Sequence, residues 1–582
     1  NYNRFTINSL SQVSPIKNLE IRASINYSQS KRDDNTSSNS YEVLNVSSSK
    51  YRLLPYLKLA EDNGKAAAIP KSYRQGYVDS IQNGGFLDWS YRPLNEIQYS
   101  DNTSKLINVL LQTGIKYSFA SFVNAELNYQ YQKQITNNRQ YNSIDAFSTR
   151  DLINKFYNPS ETLASLRYPV PLGGILHLSN IDLVANSLRG QVNFNKSFLG
   201  GHLLNGIAGA EIREITTASY ARISYGYNDE IGTAVTNMNF SSTFPTNPTG
   251  GSLSIPQPSG NVTGITNRFI AYYANIGYAL MNKYTLTVSA RKDGANIFGV
   301  KTNDKITPLW SAGIAWDLSK ENFYKIPWLP YLKLRTTYGY NGNVYNGSAY
   351  LTARYNTSSL TGLQYASIAT PPNSELSWER VRNINVGLDF GAPNGTVTGT
   401  IELFEKTGID LIENAPLAPS TGFTSFKGNA ASTRTRGLDF ILNAKILNGS
   451  LKWLTNFLFS YLKDKVINYN DEYVSKTLAV PGSPGLPEFS GVFPIVGQPL
   501  FGIYSYKWAG LDPASGDPQG YLNGAITKDY LSIINSTPVD SLVFHGSGRP
   551  TIFGGIRNTI SWKSFSMSAN VTYKLNYYFR RL

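Results

Sequence analysis

The chain of 582 residues contains no cysteine and only three histidines, His177, His202 and His545. The missing cysteine excludes disulfides, thiolate metal sites and thiol nucleophiles. The histidines are far apart and never at ligand spacing, so neither a metal ligand nor a catalytic residue is nominated, and no cofactor is implied. No run of about 18 apolar residues occurs, which excludes a membrane-crossing helix but leaves membrane-crossing strands open. No leader-like segment is visible, and the chain opens on Asn1, which reads as an internal piece of a longer precursor. Carboxylates are sparse: 39 Asp and Glu stand against 53 Lys and Arg, giving a net charge of +14. The cations are scattered and form no basic stripe, so nucleic acid is not a predicted partner; an anionic surface such as a lipid headgroup layer is an equally good partner for scattered charge. A glycosidase needs two carboxylates across one cleft. The adjacent pairs, Asp33–Asp34 and Asp471–Glu472, fall in polar stretches and read as solvating charges, so no enzyme is predicted.

Tyrosine is abundant, with 40 copies beside 27 Phe, 8 Trp and 48 Gly. Such a mixture suits strands and turns better than helices. Alternation confirms the preference. LEIRASINY (19–27) puts Leu19, Ile21, Ala23, Ile25 and Tyr27 on one face, with Glu20, Arg22, Ser24 and Asn26 on the other. VNAELNYQY (123–131), YTLTVSAR (284–291) and NINVGLDF (383–390) follow the same period of two, the signature of strands with unlike faces.

The connections carry the next level of information. Predicted strands pair as 2–13 with 19–30, 106–119 with 122–134, 185–197 with 203–217, and 268–280 with 283–293. Further pairs are 309–317 with 332–340, 381–391 with 396–406, 434–446 with 451–462, and 552–562 with 565–579. Most of these pairs are joined by short turns. Long polar stretches separate them, at 31–105, 135–184, 218–267, 341–380, 407–433 and 463–551, with a shorter one at 294–308. About sixteen strands with alternating short and long connections match a transmembrane antiparallel β-barrel with short periplasmic turns and long extracellular loops. A strand of about 15 residues at roughly 3.3 Å each is long enough to cross a membrane when tilted. A large soluble antiparallel protein explains the alternation but not the strand length or the two classes of loop. FGIYSYKWAG (501–510) has strand-like content but would break the even count, so it is read as structure inside the 463–551 excursion.

Several segments resemble the SusC/RagA branch of the TonB-dependent outer-membrane transporters. They are RKDGANIFG (291–299), SAGIAWDLSKENF (311–323), YLKLRTTYGYNGN (331–343), NSELSWERVRNINVGLDF (373–390), FEKTGIDLI (404–412), NAASTRTRGLDF (429–440), YKWAGLDPASGDPQG (506–520), GSGRPTIFGGIRN (546–558) and YKLNYYFRR (573–581). They follow in that family's order over about half the chain. Each also has a local physical reading. Asp293–Gly294 and Gly339–Asn343 suit tight turns, Trp316, Trp378 and Trp562 suit interfacial girdles, and Asp512–Pro513 and Asp517–Pro518 suit turn starts.

The resemblance implies a 22-stranded barrel in the bacterial outer membrane, of which residues 1–582 form part. The plug, the signal peptide and about six strands, roughly two before Asn1 and four after Leu582, lie outside this sequence. It implies active import of oligosaccharides or peptides, energised by the TonB–ExbB–ExbD complex through a missing N-terminal segment, with a SusD-like lipoprotein as lid. Outer-membrane lipid and lipopolysaccharide are implied neighbours. A passive porin or surface-binding barrel is the alternative. Substrate-contacting residues do not transfer by motif, so none is named. In the last strand, Phe565 to Phe579 at odd positions are predicted to face lipid and Ser566 to Asn576 the lumen. Trp562 is then placed at the inner interface, Tyr577, Tyr578 and Phe579 at the outer one, and Arg580 and Arg581 in the headgroup layer.

Overall fold

The computed structural model describes residues 1–34, 58–81, 84–163, 166–257, 262–296, 308–343, 350–358, 361–469 and 494–579. Sixteen strands form one antiparallel sheet in strict chain order. The first eight are β1 (Tyr2–Ile16), β2 (Leu19–Asp33), β3 (Ser100–Ala120), β4 (Val123–Asn142), β5 (Gly174–Phe198), β6 (His202–Tyr227), β7 (Val262–Leu280) and β8 (Tyr284–Ala295). The others are β9 (Pro308–Asp317), β10 (Tyr331–Asn343), β11 (Glu379–Gly391), β12 (Val397–Pro416), β13 (Ser425–Asn448), β14 (Leu451–Tyr469), β15 (Ile552–Trp562) and β16 (Phe565–Leu575). Every predicted strand is present, and every predicted hairpin pairs as expected. β1 and β16 stand at the two ends of this order, with one neighbour each among the described residues.

The short turns are built for the sheet's twist. Met281 and Asn282, between β7 and β8, both take left-handed backbone, with φ of 53° and 55°. Two such residues match the right-handed twist of the strands they join. In this antiparallel order the short turns lie at one end of the sheet, and the described parts of the long excursions leave it at the other.

Register makes the two faces continuous. Thr336, Val386, Leu403, Leu438, Tyr461, Ile552 and Leu575 are successive cross-strand partners from β10 to β16. They stand on one apolar face because paired residues point the same way. Many of these side chains are exposed: Leu403 is 54% and Leu575 54% accessible. On the opposite face stand Asn, Gln, Ser, Arg and Glu.

Four local expectations change. First, the strands run further toward the long loops than alternation shows. β5 begins at Gly174 instead of 185, and β6 ends at Tyr227 instead of 217. At that end Ile175 and Leu176 of β5 and Tyr225 of β6 are buried, Ile175 and Tyr225 in a cluster with loop residues, so the period of two fades while the backbone ladder continues. Second, β16 stops at Leu575 and not at Phe579. Asn576 turns left-handed at φ 55°, and the Tyr578 N–H then donates to the Ser547 carbonyl at 2.8 Å. Arg580 and Arg581 lie outside the described residues, as does the Asp471–Glu472 pair. Third, Asp293–Gly294 and Gly339–Asn343 are strand and not turn. Gly339 answers close strand approach: a Cβ there would meet the Ser311 Cβ at 2.4 Å and the Trp310 carbonyl at 2.6 Å. Fourth, Trp316 and Trp562 stand on the apolar face near the short turns, but Trp378 is buried with Ala295 and Leu376 at the loop end.

The segment 501–510 stays outside the main sheet. Gly502–Ser505 pairs with Val543–Ser547, and Trp508–Leu511 pairs with Pro518–Leu522. Asp512 starts a turn as predicted, its carboxylate accepting from the Ala514 and Ser515 amides at 2.8 and 3.2 Å.

The long loops are not merely polar. Helices α1 (Gln75–Ile81), α2 (Pro93–Tyr99) and α3 (Phe147–Phe156) fold at the loop end of the sheet. Ile69, Val78, Trp89, Tyr91 and Phe147 form one buried cluster there, and Ile153, Phe156, Val170, Ile175, Tyr225 and Ile255 another. Glu96 of α2 ties α2 to α3 by accepting the Phe147 amide at 3.1 and 3.0 Å. The main water-excluded cores of the chain therefore lie in the loops, where aromatic residues are packing elements.

Candidate functional site

The polar face of the sheet is the only extended surface that the strands jointly dedicate to hydrogen-bonding side chains among the described residues. Alternation selects its residue types, and register brings them into reach across strands. Ser24 of β2 donates to Gln112 of β3 at 3.2 Å, and Gln112 donates to Gln130 of β4 at 2.9 Å. Gln132 donates to Asn108 at 2.8 Å. Asn193 of β5 donates to Asn124 at 2.8 Å and to Glu126 at 3.1 Å. The result is a lateral ladder of amides that runs across strands. Each amide carries both donors and an acceptor, so the ladder can also bind a polar surface laid over it.

Further along, the ladder becomes charged. Arg189 of β5 donates from Nε to the Tyr273 hydroxyl at 2.6 Å, and that hydroxyl donates to Gln191 at 2.9 Å. The Arg189 guanidinium lies 5.1 Å from the Tyr273 ring centre and that of Arg291 lies 5.9 Å from it. Arg291 is held by Asp293 at 2.8 Å. Tyr273 can lie flat because its cross-strand partner is Gly209, where a Cβ would sit 2.6 Å from the Tyr273 hydroxyl. Arg189, Glu211, Arg213, Tyr273, Arg291 and Asp293 line a groove of about 710 Å³. A second charged knot lies on β10–β12. There Arg335 binds Asp389 through two hydrogen bonds, at 2.7 and 3.0 Å, and Glu402 at 2.7 Å.

This surface has the chemistry of recognition. Planar guanidinium groups, amides and one accessible aromatic ring can hold carbonyls, carboxylates or hydroxyls. No group of three or more His, Cys, Asp or Glu among the described residues could hold a metal ion. His202 bonds Tyr278 and His545 bonds Ser505, in separate places. Asp33 and Asp34 are taken up by Lys31 and Arg32. Sequence reasoning named no binding residue. Its available signal for Arg189, Tyr273 and Arg291 was parity within a strand, which gives the face but not the neighbour. Some loop aromatics are withdrawn from solvent, with Trp89 1% and Tyr91 2% exposed.

Comparison with known proteins gives this architecture a lineage. A family model described as TonB dependent receptor-like, beta-barrel matches residues 59–580. TonB-dependent receptor P39 of Formosa agariphila is 29% identical over 328 residues, covering 55% of this chain and 28% of that protein. TonB-dependent receptor SusC of Bacteroides thetaiotaomicron is 31% identical over 198 residues, covering 32% of this chain and 20% of SusC. The matched parts thus span less than a third of either relative. Among solved structures, the RagAB peptide transporter superposes with a TM-score of 0.74 at 17% identity, over 98% of this chain and 57% of that one. Among the described residues no helix is long and apolar enough to cross a membrane, and strands are the elements with the length and the two faces to do so. The chain therefore belongs to the TonB-dependent receptor-like β-barrel family and is an outer-membrane protein.

Proposed function

We propose that the complete protein imports oligosaccharides or peptides across the outer membrane, energised by TonB. The observation that carries this reading is the family match over residues 59–580, joined to a sheet with one apolar and one polar face. In this reading residues 1–582 supply sixteen strands of a closed 22-stranded barrel. The apolar face meets lipid, and the polar face lines a lumen occupied by an N-terminal plug. The amide ladder and the Arg189–Tyr273–Arg291 groove then present hydrogen-bonding groups to the plug and to a passing substrate. TonB, with ExbB and ExbD, moves the plug. A SusD-like lipoprotein closes over the loop end, where the packed helices give it a firm seat; outer-membrane lipid and lipopolysaccharide surround the wall. The solved RagAB relative is a peptide importer, captured in open-open and closed-closed states, which supports a lidded mechanism. The family is one of receptors and transporters, so no chemical step is assigned.

Uptake by cells expressing the full-length protein, with and without a TonB deletion, tests the proposal. Loss of uptake in the deletion strain is expected. Unchanged uptake would overturn it in favour of a passive porin or surface-binding barrel.

A further inference from the structure

The lipid-facing side of β10–β14 changes character abruptly toward the loop end. The row Thr336, Val386, Leu403, Leu438 and Tyr461 belongs to the apolar band. Two residues further out, on the same face, the cross-strand row reads Tyr338, Ile384, Glu405, Arg436 and Lys463. The next row reads Tyr340, Arg382, Thr407, Arg434 and Lys465. Register is uninterrupted through all three rows. Five cations therefore stand around one carboxylate, on the wall that meets lipid and not on the luminal face.

Glu405 organises the patch without neutralising it. It accepts from Arg382 at 3.0 Å and from Arg436 at 2.6 Å. Lys463 and Lys465 form no ion pair among the described residues, and the Arg436 side chain remains 66% exposed. Trp310, Tyr338 and Tyr340 pack together beside the patch, with ring centres 5.6 to 6.0 Å apart, and Tyr461 caps the apolar row below it. Aromatic side chains of this kind mark the boundary between acyl chains and headgroups. The patch thus sits at headgroup height in the outer leaflet, since the long loops define the outer end. Like charges held this close need an anionic partner, and Arg forks match phosphate oxygens in pairs.

We infer that this patch binds a phosphorylated glycolipid of the outer leaflet through its headgroup phosphates. From β11 to β14 the cations span three inter-strand steps, about 14 Å at roughly 4.8 Å each. That width exceeds one phosphate and suits two phosphates carried on opposite ends of a disaccharide head. This inference rests on the outer-membrane placement and not on the transport reading, so either can fail alone.

The test uses the full-length protein in nanodiscs that contain a bisphosphorylated disaccharide glycolipid, its dephosphorylated form, or phosphatidylglycerol. Native mass spectrometry counts retained lipid. Wild type is expected to retain the bisphosphorylated glycolipid at least tenfold better than the dephosphorylated form. The Arg434→Gln/Arg436→Gln/Lys463→Gln variant is expected to lose roughly tenfold of that retention, with its heat-modifiable folded band intact. Glu405→Gln removes the carboxylate within these rows and is expected to retain as much lipid as wild type, or more. Equal retention of the dephosphorylated form, or a Glu405→Gln loss as large as the triple variant's, would overturn the site. Phosphatidylglycerol held as tightly as the glycolipid would overturn the choice of ligand. The wild-type comparison needs no variant, so a variant that fails to fold leaves the proposal testable.

Discussion

Single residues on this sheet act through the space they leave. Gly209 has room for no side chain: a Cβ would meet the Gly190 carbonyl at 2.5 Å and the Tyr273 hydroxyl at 2.6 Å. Gly209→Ala should push Tyr273 off the polar face and break its contacts with Arg189 and Gln191. The expected cost is about 1–3 kcal/mol, typical of overpacking; denaturant unfolding of the full-length protein would measure it, and an unchanged midpoint would show that the ring is not seated on the glycine. Glu321, in the connection between β9 and β10, is a different kind of residue. It accepts from Tyr284 at 2.5 Å, Lys283 at 2.9 Å and Trp316 at 3.1 Å, and these hydrogen bonds pull its carboxyl down to about 2. A depressed carboxyl stabilises the fold above its unfolded value near 4.5, and that stabilisation is lost as pH falls toward 2. Glu321→Gln should therefore flatten the acid limb of the stability profile between about pH 4.5 and 2 while leaving its shape at neutral pH alone. An identical acid limb in the variant would rule out the assignment.

At the scale of the element, a strand here is a two-sided object with different solvents. β4 has neighbours on both sides and makes the cleanest case, with Ala125, Leu127 and Tyr129 on one face and Glu126, Asn128 and Gln130 on the other. Spin labels placed singly from 124 to 130 in the reconstituted full-length protein should alternate between oxygen and aqueous-reagent accessibility with a period of two. Uniform accessibility would reject the lipid and lumen assignment of the faces. Most of the fold was legible at this level. The alternation in 19–27 or 123–131 needs nothing beyond the chain itself, and each short turn identifies a hairpin. The outer thirds of β5 and β6 were not legible, because there Ile175 and Tyr225 pack into a cluster with loop residues and no period of two survives. The end of β16 was also missed: Tyr577 to Phe579 continue an apolar pattern, and only the left-handed Asn576 diverts them toward Ser547.

The whole molecule divides into two differently stabilised parts. The sheet has a continuous ladder, and many side chains on its apolar face are exposed, Leu403 and Leu575 among them. The loop-end helices have a buried core around Trp89 and Tyr91, with Trp89 stacked on Phe86 at 5.8 Å and donating to Asp151 at 2.8 Å. Separate cores favour separate cooperative units. Trp89→Ala should cost the loop unit about 3–5 kcal/mol, the usual range for a buried aromatic. Loop cleavage by a protease should accelerate while the sheet keeps its resistance to detergent unfolding. If both change together, the loop and sheet form one unit.

The sequence by itself determined the period of two, the unlike faces, the order of hairpins and the segregation of short from long connections. These are local properties, set by the residue at each position and its immediate neighbours. The tertiary structure alone decided which side chains meet across strands: Arg189 with Tyr273, Asn193 with Asn124, and Arg382 with Glu405 and Arg436. Parity fixes a side chain's face, but its lateral partner depends on how far each neighbouring strand is shifted along its own axis. That shift is set jointly by turns, bulges and ladder hydrogen bonds distant in sequence, so it appears only once the sheet is assembled.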